Sequence, residues 1–203
     1  MKIKNIPSGP LMVNTYLVWD DTNKGFIVDP GGFNDKIAKS IEEENIDLQY
    51  IILTHGHCDH IGGVNEIKVK YGCKVLAAEA ELPMLSNSKY NMSGDFGMPV
   101  EIIPDILVNE GDTLEVGNML LHFIMTPGHS EGGMCIRIGK ALFSGDTLFH
   151  GSVGRTDFVG GSMNTLVNSI REKLFVLDDD TKVFPGHMGT TTIGFEKENN
   201  PFV

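Results

Sequence analysis

Hydrophobic residues fall along the chain in short blocks, and turn-forming residues separate one block from the next. Blocks of this length, alternating or continuously apolar, are typical of β-strands. The run Tyr50–Leu53 is continuously apolar, as expected for a strand buried on both faces of a parallel sheet. The predicted strands cover residues 13–19, 26–28, 50–53, 74–77, 113–116, 119–125, 134–138, 141–144 and 182–184.

Three other segments repeat their apolar residues at helical spacing and therefore predict helices. They are Ile37–Ile41 with its flanks, Gly62–Tyr71, and an apolar stripe over Leu166–Leu174 for which Ser162 is the predicted N-cap. Residues 87–104 have mixed composition with two prolines, Pro99 and Pro104, so we expect a loop there.

The two halves of the chain follow a similar plan: a block of strands, a helix, and a strand that ends in a histidine or an aspartate. Two sheets packed face to face, with helices on the outside, would account for this recurrence. No linker or low-complexity segment interrupts the chain, so residues 1–203 are predicted to form one α+β domain. The polar residues at the strand ends would then lie on loops at one rim of the sandwich.

Composition limits the partners. The formal net charge is −11 and the pI is about 5.0, which disfavours binding to nucleic acid. No apolar run is long enough to span a membrane, and residues 1–10 lack the apolar core of a signal peptide. The three cysteines have no finger or ribbon spacing. We therefore expect a cytoplasmic protein with free thiols that acts on a small molecule; the oligomeric state stays open.

The strongest chemical signal is the segment Thr54–His60, which places three histidines and an aspartate directly after a predicted buried strand. Three further strands end in similar fashion, at Thr126–Ser130, Phe143–Thr147 and Phe184–His187. Together these segments supply five histidines and two aspartates, enough for two metal ions. Imidazole and carboxylate ligands suit zinc, iron or manganese. The candidate ligands are His55, His57, Asp59, His60, His129, Asp146 and His187.

The order HxHxDH, PGHS, SGDT and PGH resembles the metallo-β-lactamase superfamily, and within it the short, single-domain relatives of glyoxalase II. The resemblance covers nearly the whole chain and implies a four-layer αββα sandwich of two mixed β-sheets with helices outside. It also implies two divalent ions, zinc first and iron or manganese as alternatives. His55, His57 and His129 would bind metal one; Asp59, His60 and His187 would bind metal two. Asp146 would bridge both ions, whereas true β-lactamases of the superfamily lack a bridging aspartate at this position.

The same resemblance implies a hydrolase that cleaves acyl-thiols such as 2-hydroxyacyl-glutathione with a hydroxide shared by the two ions. Asp59 and Asp146 would be the catalytic carboxylates, with Asp59 orienting the hydroxide. Arg155, in the run Gly151–Phe158, matches a basic residue that binds glutathione in full-length glyoxalase II. A tyrosine of that enzyme is replaced here by Gly189, and we expect no counterpart of its C-terminal helical domain. Both differences concern the substrate rather than the metals.

Other functions of the same fold are kept as alternatives. A persulfide dioxygenase also carries HxHxDH and a Gly-Arg-Thr-Asp-Phe run, but it holds one iron on the equivalents of His55, His129 and Asp146. A phosphodiesterase or nuclease is disfavoured by the acidic charge. A non-catalytic metal-binding module is disfavoured because seven ligands for two ions leave positions open to water. His122 and His150 match no ligand motif and are expected to be structural.

Overall fold

The computed structural model describes all residues from Met1 to Val203, and most of its strands belong to two six-stranded sheets. The first sheet consists of β1 (Lys2–Asn5), β2 (Tyr16–Trp19), β3 (Lys24–Val28), β4 (Asp47–Ile52), β5 (Lys74–Ala78) and β6 (Ile106–Val108). These strands lie side by side in chain order. The first three pair antiparallel and β3 to β6 pair parallel, so the sheet is mixed.

The second sheet takes its strands from the other half of the chain, together with a separate short hairpin. The strands are β7 (Thr113–Val116), β8 (Met119–Met125), β9 (Met134–Ile138), β10 (Ala141–Gly145), β11 (Leu148–Phe149), β12 (Ser152–Val153), β13 (Lys182–Pro185) and β14 (Thr191–Thr192). The sheet order is β14-β13-β10-β9-β8-β7, while β11 and β12 pair with each other. Only β10 and β13 pair parallel.

Six α-helices connect or flank the strands. They are α1 (Asp35–Glu43), α2 (Cys58–Ile61), α3 (Val64–Tyr71), α4 (Leu82–Leu85), α5 (Met163–Ser169) and α6 (Ile193–Asn199). A 3₁₀ turn, Glu79–Glu81, precedes α4, and a π-helical turn, Ile170–Leu174, continues α5. None of the helices combines the length and hydrophobicity that crossing a bilayer requires.

The apolar residues form three core layers, and neighbouring residues of one strand enter different layers. In β4, Ile51 packs toward α1 and α3, whereas Ile52 packs between the two sheets. In β9, Ile136 lies between the sheets, and Cys135 packs toward α5 and α6. This alternation is the two-residue period of a pleated strand. It gives helix, sheet, sheet and helix layers, which confirms the predicted αββα sandwich.

Two predicted elements begin later in the structure than the sequence indicated. The helix predicted over 62–71 begins only at Val64, because the Gly63 N–H donates to the Pro30 carbonyl at 2.8 Å and not to a carbonyl of the preceding helical turn. The strand predicted from Val13 begins at Tyr16. Asn14 is drawn away from the sheet, since its side-chain amide donates to the carbonyls of Pro185 and Met188.

Polar residues follow the ends of four strands at the same rim of the sandwich. Asp29 follows β3, Thr54–His60 follows β4, Asp146 follows β10, and Gly186–His187 follows β13. Ligands of α/β sheets generally bind outside the carboxyl ends of parallel strands, and each of these strands has a parallel neighbour. The fold therefore gathers the candidate metal ligands at one edge.

Candidate metal centre

Three histidines from two loops form one compact group. The Nδ1 atom of His57 lies 2.8 Å from Nε2 of His129, and that Nε2 lies 3.2 Å from Nε2 of His55. All three side chains are buried. Ligand atoms of a tetrahedral ion with bonds of about 2.1 Å lie about 3.4 Å apart, so this spacing fits one ion.

A second group consists of Asp59, His60 and His187. The Oδ2 atom of Asp59 lies 3.1 Å from Nε2 of His187 and 3.7 Å from Nε2 of His60. One carboxylate and two imidazoles again offer one ligand atom each at the spacing of a single small ion.

Asp146 contacts both groups. Its Oδ1 lies 3.4 Å from Nε2 of His60, and its Oδ2 lies 3.7 Å from Nε2 of His129 and 3.7 Å from Nε2 of His187. Its Oδ2 thus lies near ligand atoms of both groups, and its Oδ1 lies near the second group. The structure therefore brings all seven predicted ligands together and places Asp146 between the two groups.

Besides Nε2 of His57, two buried polar atoms in this centre have no hydrogen-bond partner: Nε2 of His60 and Oδ1 of Asp146. Buried polar groups are almost always satisfied, because an unsatisfied one costs about 1–3 kcal/mol. These two atoms face each other across 3.4 Å. A bound cation would satisfy both, so the residues present fit a metal centre.

Asp29 holds part of this centre in place, and sequence reasoning missed that role. Its carboxylate accepts hydrogen bonds from the Thr54 backbone N–H at 2.8 Å and the Thr54 hydroxyl at 2.6 Å, and lies 3.0 Å from Nδ1 of His60. With its proton on Nδ1, His60 presents Nε2 as the free ligand atom. Although Asp29 lies within reach of His55 and His60, its oxygens are already engaged, so we regard it as a support. In the sequence, the Asp-Pro-Gly-Gly run indicated only a strand break.

Glu81 is a second support that the sequence did not reveal. This buried carboxylate accepts hydrogen bonds from the Gly56 N–H at 2.9 Å, the Ser130 hydroxyl at 3.0 Å and the Gly132 N–H at 2.7 Å. Burial raises the pKa of Glu81, and the three donors oppose that shift. One side chain thus ties the loop of His55 and His57 to the loop of His129.

The electrostatics of the two groups differ. Burial, followed by repulsion from His129, lowers the pKa of His57 to about 3, so this ring is a neutral ligand. Burial alone would also lower the pKa of His60, but the carboxylates of Asp146, Asp59 and Asp29 outweigh it and raise that pKa to about 10. The same concentration of negative charge in a buried site stabilises a divalent cation.

The family model of the metallo-beta-lactamase superfamily matches residues 8–187 of the chain. The chain belongs to the metallo-β-lactamase superfamily. Hydroxyacylglutathione hydrolase GloC of Haemophilus influenzae is 38% identical over 208 residues, covering 100% of this chain and 98% of GloC. That match agrees with the glyoxalase II side of the superfamily that the motifs indicated.

Solved structures of the superfamily share this architecture. The B3 metallo-β-lactamase BLEG-1 superposes with a TM-score of 0.93 at 35% identity, covering 99% of each chain. TTHA1623, in a di-iron-bound form, superposes with a TM-score of 0.88 at 31% identity, covering 98% of this chain and 100% of that one. Proteins of this fold therefore include a B3 metallo-β-lactamase and a protein in a di-iron-bound form, and the fold alone does not set the metal of this chain.

Arg155 lies at the rim of the centre with an exposed guanidinium group. This group donates two hydrogen bonds to Asp157, at 2.9 and 2.7 Å, and lies 4.5 Å from the ring centroid of Phe158. The Phe158 ring in turn contacts His57 and His129. The Arg155 backbone carbonyl accepts a hydrogen bond from Nδ1 of His129 at 2.7 Å, which leaves Nε2 of His129 free as the ligand atom.

The other singled-out histidines lie away from the ligands. His150 is exposed and packs on Phe195, with 4.8 Å between the ring centroids. His122 is half-buried in β8, opposite Thr113 and Arg137. Neither residue belongs to a potential metal-binding group.

Proposed function

We propose that this member of the superfamily is a dinuclear metal-dependent thioesterase of glyoxalase II type, with acyl-thiols such as 2-hydroxyacyl-glutathione as substrates. The observation that carries the proposal is the Asp146 carboxylate, whose oxygens lie within 3.4–3.7 Å of ligand atoms of both groups. The 38% identity with a hydroxyacylglutathione hydrolase supports the choice of thioester. Zinc is the first candidate metal and iron the second, given the di-iron form of TTHA1623.

In this proposal His55, His57 and His129 would hold one ion, Asp59, His60 and His187 would hold the other, and Asp146 would be a ligand shared by the two groups. Bound ions would supply Lewis acidity and lower the pKa of a water toward neutrality. Asp59 would orient the attacking water, since only its Oδ2 is engaged by His187. Asp29 and the Arg155 carbonyl would keep His60 and His129 in the tautomers that ligation needs.

A thioester substrate also suits this centre because its hydrolysis needs no general acid to protonate the leaving group. A thiol has a pKa near 8.5, so a thiolate leaves without being protonated first. An alkoxide or amine leaving group would need a proton donor, and the titratable groups gathered at the centre all belong to the two ligand groups or support them. Arg155 would contact the charged thiol-bearing part of the substrate from the rim.

The test compares substrate classes with one preparation: an acyl-glutathione thioester, the matched oxygen ester, a phosphodiester and a β-lactam. The β-lactam is included because of the likeness to BLEG-1. We expect the thioester to have the highest kcat/KM. Asp146→Ala and His129→Ala should lose turnover, whereas the exposed control changes Asp178→Ala and His150→Ala should stay within about twofold. Near wild-type hydrolysis by Asp146→Ala, or a preferred β-lactam or phosphodiester, would refute the proposal.

A further inference from the structure

A cavity of about 230 Å³ lies beside Asp59 and is not used by any of the roles assigned above. Its walls come from the loop Gly9–Leu11, the turn Gly31–Gly32, residues Cys58, Asp59 and Gly62, and the loop Ser93–Val100. Asp59 is the one charged residue among the lining residues. The apolar lining residues are Pro10, Leu11, Phe96, Met98 and Val100.

The cavity is built into the same framework as the metal centre. A Cβ on Gly31 would lie 2.0 Å from the Asp59 carbonyl oxygen, so the turn packs directly against the ligand segment. The Cys58 N–H donates to the Asn91 carbonyl at 2.8 Å, and the Asn91 side-chain amide donates to the Val100 carbonyl at 2.8 Å. These bonds join the far wall to the start of α2, one residue before Asp59.

The mouth of the cavity exposes apolar side chains. Leu11, Phe96 and Met98 are 54%, 57% and 56% exposed, although they come from two loops that are distant in sequence. Apolar side chains gathered at the entrance of a cavity, next to a reactive centre, are typical of a ligand site. The cavity adjoins the Asp59 group, whereas Arg155 and Phe158 lie beside His57 and His129.

We propose that this cavity binds the acyl group of the thioester, and that the preferred acyl group carries an apolar aliphatic or aromatic chain. The inference rests on the proposed thioesterase function and narrows its substrate class. A charged acyl group would lose its hydration among the apolar side chains without finding a partner. The charged thiol portion would lie toward Arg155, at the other ligand group.

The volume sets the length of the chain. An apolar cavity of about 150 Å³ accepts a benzene molecule, and this cavity is larger, at about 230 Å³. It therefore suits a chain of roughly six to eight carbons on that scale. Each methylene transferred from water to an apolar site should raise kcat/KM by about fourfold until the cavity is filled.

The first experiment measures kcat/KM for glutathione thioesters whose acyl chains grow from acetyl to decanoyl. We expect a rise with chain length that levels off near eight carbons. Met98→Asp should lower kcat/KM for the hexanoyl ester at least tenfold and leave the acetyl ester within about twofold. Val176→Asp, which adds the same charge at an exposed apolar residue outside the cavity, should change neither.

A second readout does not depend on turnover. Cys58 lines the cavity and is half-buried, whereas Cys73 and Cys135 are buried, so alkylation by a small neutral reagent reports on Cys58. S-hexylglutathione should slow this alkylation at least fivefold, and S-methylglutathione should not. Equal turnover of all chain lengths without protection would overturn the acyl site while the thioesterase stands. No hydrolysis of any thioester would overturn the proposed function and the acyl site with it.

Discussion

Glu81 offers a sharp test of how the centre is held together. Its Oε1 accepts from the Gly56 N–H, and its Oε2 accepts from the Ser130 hydroxyl and the Gly132 N–H. In Glu81→Gln, the amide oxygen can still accept from the Ser130 hydroxyl and the Gly132 N–H, but the amide nitrogen, itself a donor, then faces the Gly56 N–H. One hydrogen bond to a charged group is lost, which costs about 1.5–3 kcal/mol.

We therefore expect Glu81→Gln to lower the free energy of unfolding by about 2 kcal/mol. Glu81→Ala leaves all three donors without an acceptor, and water that enters the space can accept from only some of them. We therefore expect the free energy of unfolding to fall by about 4 kcal/mol. Because Glu81 joins the two loops that carry His55, His57 and His129, the affinity for the first metal should also fall by about 10–100-fold.

The assay pairs denaturant unfolding of the metal-free protein with metal titration against a chromophoric chelator. Glu79→Gln is the matched control, because Glu79 lies in the same 3₁₀ turn but is exposed and accepts only from Asn109. It should change stability by less than about 0.5 kcal/mol. If Glu81→Gln unfolds like the wild type and binds both metals equally well, Glu81 does not couple the two ligand loops.

Three further predictions concern the centre. Asp146→Asn keeps the shape of the side chain but removes the charge between the two groups, so kcat/KM should fall at least about 1000-fold. Equilibrium dialysis should also show weaker binding of the second ion, and unchanged turnover would contradict the bridging role. With free metal at about 100 times Kd, two bound ions stabilise the fold by about 5 kcal/mol, so metal removal with a chelator should lower Tm by about 10–20 °C, and calorimetry should show recovery when metal is added back. Gly154→Ala should destabilise the fold and abolish activity, because the new Cβ would lie 1.8 Å from the Asp146 carbonyl oxygen. In the control variant Gly189→Ala, the new Cβ meets nothing within 4 Å, so the unfolding midpoint should stay unchanged.

The sequence predicted most of the fold because most elements have one clear apolar face. The strands at 113–116, 119–125 and 134–138 match β7, β8 and β9, and Ser162 is the N-cap of α5, where its side chain accepts from the Thr165 N–H. The loop at 87–104 contains no helix or strand. In each case the local pattern and the tertiary packing favour the same structure.

Two of the missed elements, β1 and α6, depend on partners that are distant in sequence. The strand β1 has mostly exposed side chains and forms by pairing with β2. The helix α6 buries Glu196, which accepts hydrogen bonds from the Gly151 N–H and the Thr191 hydroxyl. A buried glutamate gives no apolar signal, so periodicity alone could not indicate this helix.

The candidate site divides in the same way. The histidines and aspartates were found because each follows a strand in a recognisable short motif. Asp29 and Glu81 were missed because their roles come from contacts with Thr54, Gly56 and Gly132 across the fold, at sequence separations that no local pattern reveals. Arg155 forms an ion pair with Asp157 that the sequence did not indicate, and its contact with the substrate stays a prediction.

The most direct test is the metal content of protein purified without added metal, measured together with two activities on the same sample. These activities are thiol release from an acyl-glutathione thioester and oxygen uptake with glutathione persulfide. A centre with Asp146 between two ligand groups predicts about two ions per chain, thiol release and no oxygen uptake. One iron per chain with persulfide-dependent oxygen uptake would contradict the dinuclear thioesterase and identify a mononuclear dioxygenase instead.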